Sequence, residues 1–161
     1  MTTSQDDPQP TANEVFHNLY TTVTLATSAN GNETKFRWKN NTEPFPHQEA
    51  SWADVTVFPC DNGQGKLELM AGTTYDLNLH NENYQQQIEN VRTTWEAHGL
   101  TVRNVGASKG MMQIATDLDD GSTVVYTAGI GGESIEAGTI CLAEFKGDPS
   151  TAQTYPAAKA G

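Results

Sequence analysis

The sequence predicts an α+β fold: an antiparallel sheet of about six to seven strands with two helices packed on one face, in the order α-βββ-α-ββββ. Two observations predict it. Two segments carry apolar residues at helical spacing, and a series of β-branched or alternating runs is separated by short turns rich in Gly, Asn and Asp. Hairpin-linked strands build an antiparallel sheet, and two amphipathic helices bury their stripes against one of its faces.

The first helix is expected over Ala12–Ala26. Thr11 and Glu14 form a capping-box pair at its start, and Phe16, Leu19, Tyr20, Val23 and Ala26 make its apolar stripe. Its weak point is the Thr-rich stretch Thr21–Thr24, and Asn30-Gly31 stops it. Lys35–Lys39 alternates as a half-buried strand with Phe36 and Trp38 inward. Ala53–Cys60 and Lys66–Tyr75 flank the turn residues Asp61–Gly65 and read as a hairpin. The second helix is expected over Asn81–His98, with Tyr84, Ile88, Val91 and Trp95 on one face. Gly99 supplies its left-handed stop, and Leu100 folds back onto Val91 or Trp95. Four strands follow, over Leu100–Val105, Met111–Thr116, Ser122–Ala128 and Glu136–Phe145. Asp119–Gly121 and Gly129–Gly132 join the last three.

A chain of 161 residues is long enough for one domain. Only 28 residues are Leu, Ile, Val or Phe, and all of them lie between Val15 and Phe145. The folded domain is therefore expected over 11–146. Met1–Pro10 reads as a disordered tether and Gly147–Gly161 as a disordered tail.

Nine basic and 20 acidic side chains give a net charge of −11. The Lys and Arg residues are scattered, which argues against nucleic acid and anionic membrane surfaces as partners. The acidity fits solubility, and it also fits attraction to a basic partner. No apolar run approaches the length of a membrane span, and the first residues lack the basic and apolar regions of a leader. Taken literally this is a cytoplasmic protein. The other reading is a mature extracellular domain written without its leader.

Cys60 and Cys141 each end a strand-like run, too far apart for a zinc knuckle or a redox C-x-x-C pair. Two inert thiols fit this placement, and so does one disulfide. A core with few large aliphatics gains more from the disulfide, which is expected here together with an oxidising compartment.

His17, His47, His80 and His98 lack a histidine partner at ligand spacing, so a metal site is not expected. Asp117–Gly121 resembles the start of a calcium loop, but its glycine comes one residue early and Ala128 stands where the closing Glu belongs. The glycines at Gly63–Gly65 and Gly129–Gly132 do not open helices and so do not cradle phosphate. Neither a cofactor nor catalysis is expected. Asn32-Glu-Thr34 and Asn40-Asn-Thr42 match the glycosylation pattern at a frequency expected by chance. The candidate binding loop is Asn40–Ser51 with its flank, where Phe45, His47 and Trp52 cluster with prolines. The favoured reading of Phe45 and Trp52 is a plug on the open edge of a small core.

Asn83–Val102 resembles a segment of small actinobacterial cell-envelope lipoproteins of uncharacterised function, in which a helix with a Val-Arg pair and a Trp leads through Gly into a strand. Pro59-Cys60, and Gly132-Glu-Ser134 before Cys141, resemble further features of their mature domains. The resemblance implies an envelope location and no known enzyme activity. The chain departs from that pattern in lacking the leader and the acylated cysteine. The expectation is a secreted or lipid-anchored envelope domain with a non-catalytic binding role toward an envelope protein or small ligand, touching a membrane only through an N-terminal lipid anchor. The alternative is a cytosolic acidic inhibitor of a basic partner.

Overall fold

The computed structural model of the chain describes residues 11–38, 43–45, 55–61, 63–73, 82–143 and 153–155. It is an α+β fold with two helices and an antiparallel sheet. Helix α1 spans Ala12–Ser28 and α2 spans Tyr84–Ala97. The strands are β1 (Arg37–Trp38), β2 (Val55–Pro59), β3 (Gly65–Gly72), β4 (Val102–Ser108), β5 (Met111–Asp117), β6 (Thr123–Gly129), β7 (Gly132–Gly138) and β8 (Gln153–Tyr155). Their spatial order is β4-β5-β6-β7-β3-β2-β8, and β1 pairs with β3.

The Thr11 hydroxyl caps α1 by accepting from the Glu14 N–H at 3.1 Å. The Thr-rich stretch remains helical because its hydroxyls turn inward on the helix. Thr22 donates to the Asn18 carbonyl at 2.8 Å and Thr24 to the Tyr20 carbonyl at 2.9 Å. Hydroxyls bonded to the preceding turn no longer compete for other backbone groups. At the end of α2, Gly99 takes φ +82°, its N–H bonds Glu96 O, and the Leu100 N–H bonds Trp95 O. This Schellman closure is what the Gly99-Leu100 pair predicted.

Register decides which residues form the core. Ala71 of β3 stands opposite Ile135 of β7, Ile135 opposite Tyr126 of β6, and Tyr126 opposite Ile114 of β5. All four are buried and face the helices. Against them pack Val15, Phe16, Leu19 and Val23 of α1, and Ile88, Val91 and Trp95 of α2. The Trp95 side chain is fully buried, and its indole N–H donates to the Thr22 carbonyl at 3.0 Å, locking α2 onto α1.

Cys60 and Cys141 form a disulfide with Cα atoms 6.3 Å apart. Cys60 follows the end of β2, and Cys141 precedes Leu142, which bridges to Gly65. The bond therefore ties together the two chains that flank the start of β3.

Several boundaries differ from the sequence reading. The last long strand is Gly132–Gly138, set by its pairing with β3 and β6, in place of the expected Glu136–Phe145; Glu144 and Phe145 lie outside the described residues. The β1 strand is shortened to two residues by a 3-10 turn at Glu33–Lys35. Helix α2 starts at Tyr84, with Asn83 as its N-cap residue. Within the segment read as a disordered tail, Gln153–Tyr155 pairs with β2 as an outer strand. The opposite edge, β4, carries a bulge between Asn104 and Gly106, a device that discourages pairing of a free edge with another chain.

Candidate binding face

Strands alternate their side chains, so the residues between the core positions project from the side of the sheet away from the helices. Cross-strand register lays these residues out in rows. One row runs Met70 of β3, Glu136 of β7, Val125 of β6, Ala115 of β5 and Arg103 of β4. The next runs Glu68, Gly138, Thr123 and Asp117. Gly138 has no side chain, so its position in the second row is a gap between Glu68 and Thr123. A depression of about 480 Å³ opens over it, lined among others by Phe58, Met70, Thr123, Val125 and Glu136. Phe58 and Met70 are 38% and 43% exposed.

The charges on this face are largely committed to one another. Arg103 donates to Asp117 at 2.7 Å and the Thr123 hydroxyl donates to Asp117 at 2.9 Å. The Arg103 bond first, then the Thr123 bond, hold the Asp117 carboxyl below its ordinary value. Lys66 lies 3.3 Å from Glu68. Glu136 differs. It is exposed, flanked across the sheet by Met70 on one side and Val125 on the other, and has no ion-pair or hydrogen-bond partner among the described residues.

The buried side of the sheet holds a second polar arrangement. Glu133 is buried, accepting from the Tyr126 hydroxyl and from the Asn32 amide, each at 2.6 Å. Asn30 reaches Tyr126 at 3.3 Å and accepts from Asn90 at 2.8 Å. Every link joins the end of α1, α2, β6 or β7, so this network fixes how the helices sit on the sheet.

Of the residues expected in a binding loop, Phe45 is buried and meets Trp38 edge to face with ring centroids 4.7 Å apart. It is a plug on the core and not a surface contact. His47 and Trp52 lie outside the described residues, as does His80. His17 and His98 line a groove of about 370 Å³ with Asn18, Thr21 and Asp119, between the helices and the β5–β6 turn. In that turn Asp120 accepts from the Ser122 N–H at 2.9 Å and from the Asn18 amide at 3.3 Å, which makes it a folded turn. Among the described residues no group of three His, Cys, Asp or Glu could hold a metal ion, and no helix is long and apolar enough to cross a membrane.

The sequence reading missed Phe58, Met70, Val125 and Glu136. A signal for one of them was present. In Lys66-Leu-Glu-Leu-Met70, placing Leu67 and Leu69 inward puts Met70 on the solvent side, where an apolar residue lacks a core role. Its neighbours Glu136 and Val125 appear only with the register.

Compared with family models, with curated proteins and with solved structures, the chain matches none. Its function is therefore argued from its own residues.

Proposed function

We propose that the chain is a non-catalytic binding domain of an oxidising, extracytoplasmic compartment, secreted or lipid-anchored in the cell envelope, and that it binds through the open face of its sheet. The observation that carries this reading is the cluster of Met70, Glu136 and Val125 on that face. Met70 and the half-buried Val125 flank Glu136, which has no ion-pair or hydrogen-bond partner among the described residues, and Phe58 lines the same depression. Exposed apolar side chains beside a carboxylate weaken solubility unless a partner covers them. The compartment is argued from the Cys60–Cys141 disulfide, since structural disulfides persist where the surroundings are oxidising. The likeness of Asn83–Val102 to envelope lipoproteins points the same way. The net charge of −11 supports a second reading, a cytosolic inhibitor of a basic partner. Trapping thiols by alkylation in the producing cells separates the two, because the cytosolic reading requires free cysteines.

The binding role is tested with a photo-crosslinking residue placed at Val125 or, as a control, at Gln85 on the exposed side of α2. A discrete adduct from position 125, absent from position 85 and abolished by Gly138→Val, is the expected result. Equal adducts from both positions, or adducts indifferent to Gly138→Val, would remove the open face as the binding surface.

A further inference from the structure

Resting on that reading of the open face, we infer that its occupant is an extended, basic segment of a partner polypeptide, which sets a Lys or Arg over Glu136 and apolar side chains on Met70 and Val125 to either side of it. Three features argue for this chemistry. Glu136 lies on the central strand of the face, and the residues directly opposite it on both sides are apolar. A carboxylate so flanked attracts a cation more strongly once a ligand displaces the water, because the local dielectric falls. The other acids of the face, Glu68 and Asp117, already have cationic partners in Lys66 and Arg103, so among the described residues Glu136 is the uncommitted acid of this face. Finally, the chain as a whole is strongly acidic, and its field draws basic partners and repels acidic ones.

The shape favours an extended chain. Gly138 and Thr123 leave a depression beside the Glu136 row, and Met70 and Val125 lie on either side of Glu136 across the strands. An extended peptide alternates its side chains with period two, so one face of it can present a cation between two apolar groups. Gly138 has no positive φ, and a Cβ there would make only ordinary contacts, the nearest at 3.7 Å to Leu67 O. A larger residue at 138 is therefore tolerated by the fold and fills the depression.

The test uses the full oxidised chain, isotopically labelled, titrated with three short extended peptides of equal Val content. Their alternate positions are Lys, Thr or Glu. Backbone amide shifts over Leu67–Gly72 and Gly132–Gly138 report the site. The Lys peptide is expected to bind there about tenfold more tightly than the Thr peptide, a preference of the size expected for one charge-assisted contact. The preference should shrink with added salt and vanish in Glu136→Gln, which keeps the weaker binding common to both peptides. Gly138→Val should weaken all binding. If the Thr or Glu peptide binds this face as tightly, or the preference survives Glu136→Gln, the basic partner is wrong while the open face stands as a binding surface. Absence of shifts on this face with all three peptides also overturns the proposal. The crosslinking experiment then decides the broader reading separately.

Discussion

The Tyr126 hydroxyl donates to the Glu133 carboxylate at 2.6 Å inside the domain, with the Asn32 amide completing the carboxylate's bonding from the other side. The pair joins neighbouring strands through side chains that face the helices, so it belongs to the fold and not to the binding face.

This relationship predicts alkaline sensitivity. Burial first, and then the Glu133 charge, push the Tyr126 hydroxyl above its ordinary value. A group whose pKa is raised on folding contributes stability that is complete below its unfolded pKa. That contribution is lost as pH rises, because the unfolded chain ionises first. Each pH unit above about 10 should therefore cost on the order of 1.4 kcal/mol. Tyr126→Phe should be less stable at neutral pH, and the gap to the parent chain should narrow between about pH 9 and 11 in urea melts. A constant gap would show that the hydroxyl is not held this way.

Trp95 joins the two helices through its indole N–H and fills the space between α2 and the sheet. Trp95→Ala should cost about 3–5 kcal/mol. Trp95→Phe retains much of the apolar contact but leaves the Thr22 carbonyl without its donor, and should cost less. Denaturant midpoints read both. A loss for Trp95→Ala below about 1 kcal/mol would contradict the packing.

The Cys60–Cys141 bond closes a long loop, its ends 81 positions apart in sequence. By loop-closure reasoning, its removal should cost about 4 kcal/mol. Cys60→Ala with Cys141→Ala should melt well below the parent chain, and alkylation without reductant should leave both cysteines unmodified. Two modified cysteines in folded, oxidised protein would contradict the bond.

Local patterns carried much of the fold. The stripe ending at Trp95, the Gly99 stop and the Asp119–Gly121 turn are short-range features, and each reads from neighbouring residues. The start of β7 does not. Glu133 is polar and follows glycines, so it resembles turn sequence. It is buried because Tyr126, across the β6–β7 hairpin, and Asn32, distant in the chain, supply its donors. The binding face is harder still to read. Glu136, Met70 and Val125 belong to three strands, and only their register makes them neighbours. Phe45, favoured as a plug on the core edge, is buried against Trp38.

The most direct test of a working binding face is to measure stability and binding together in Met70→Thr with Glu136→Thr. Both positions face away from the helices, and Thr suits a strand exposed to solvent. The account predicts a denaturant midpoint within about 0.5 kcal/mol of the parent chain, together with loss of the position-125 crosslink and of Lys-peptide binding. A substantial loss of stability, or binding that persists in the double variant, would contradict it.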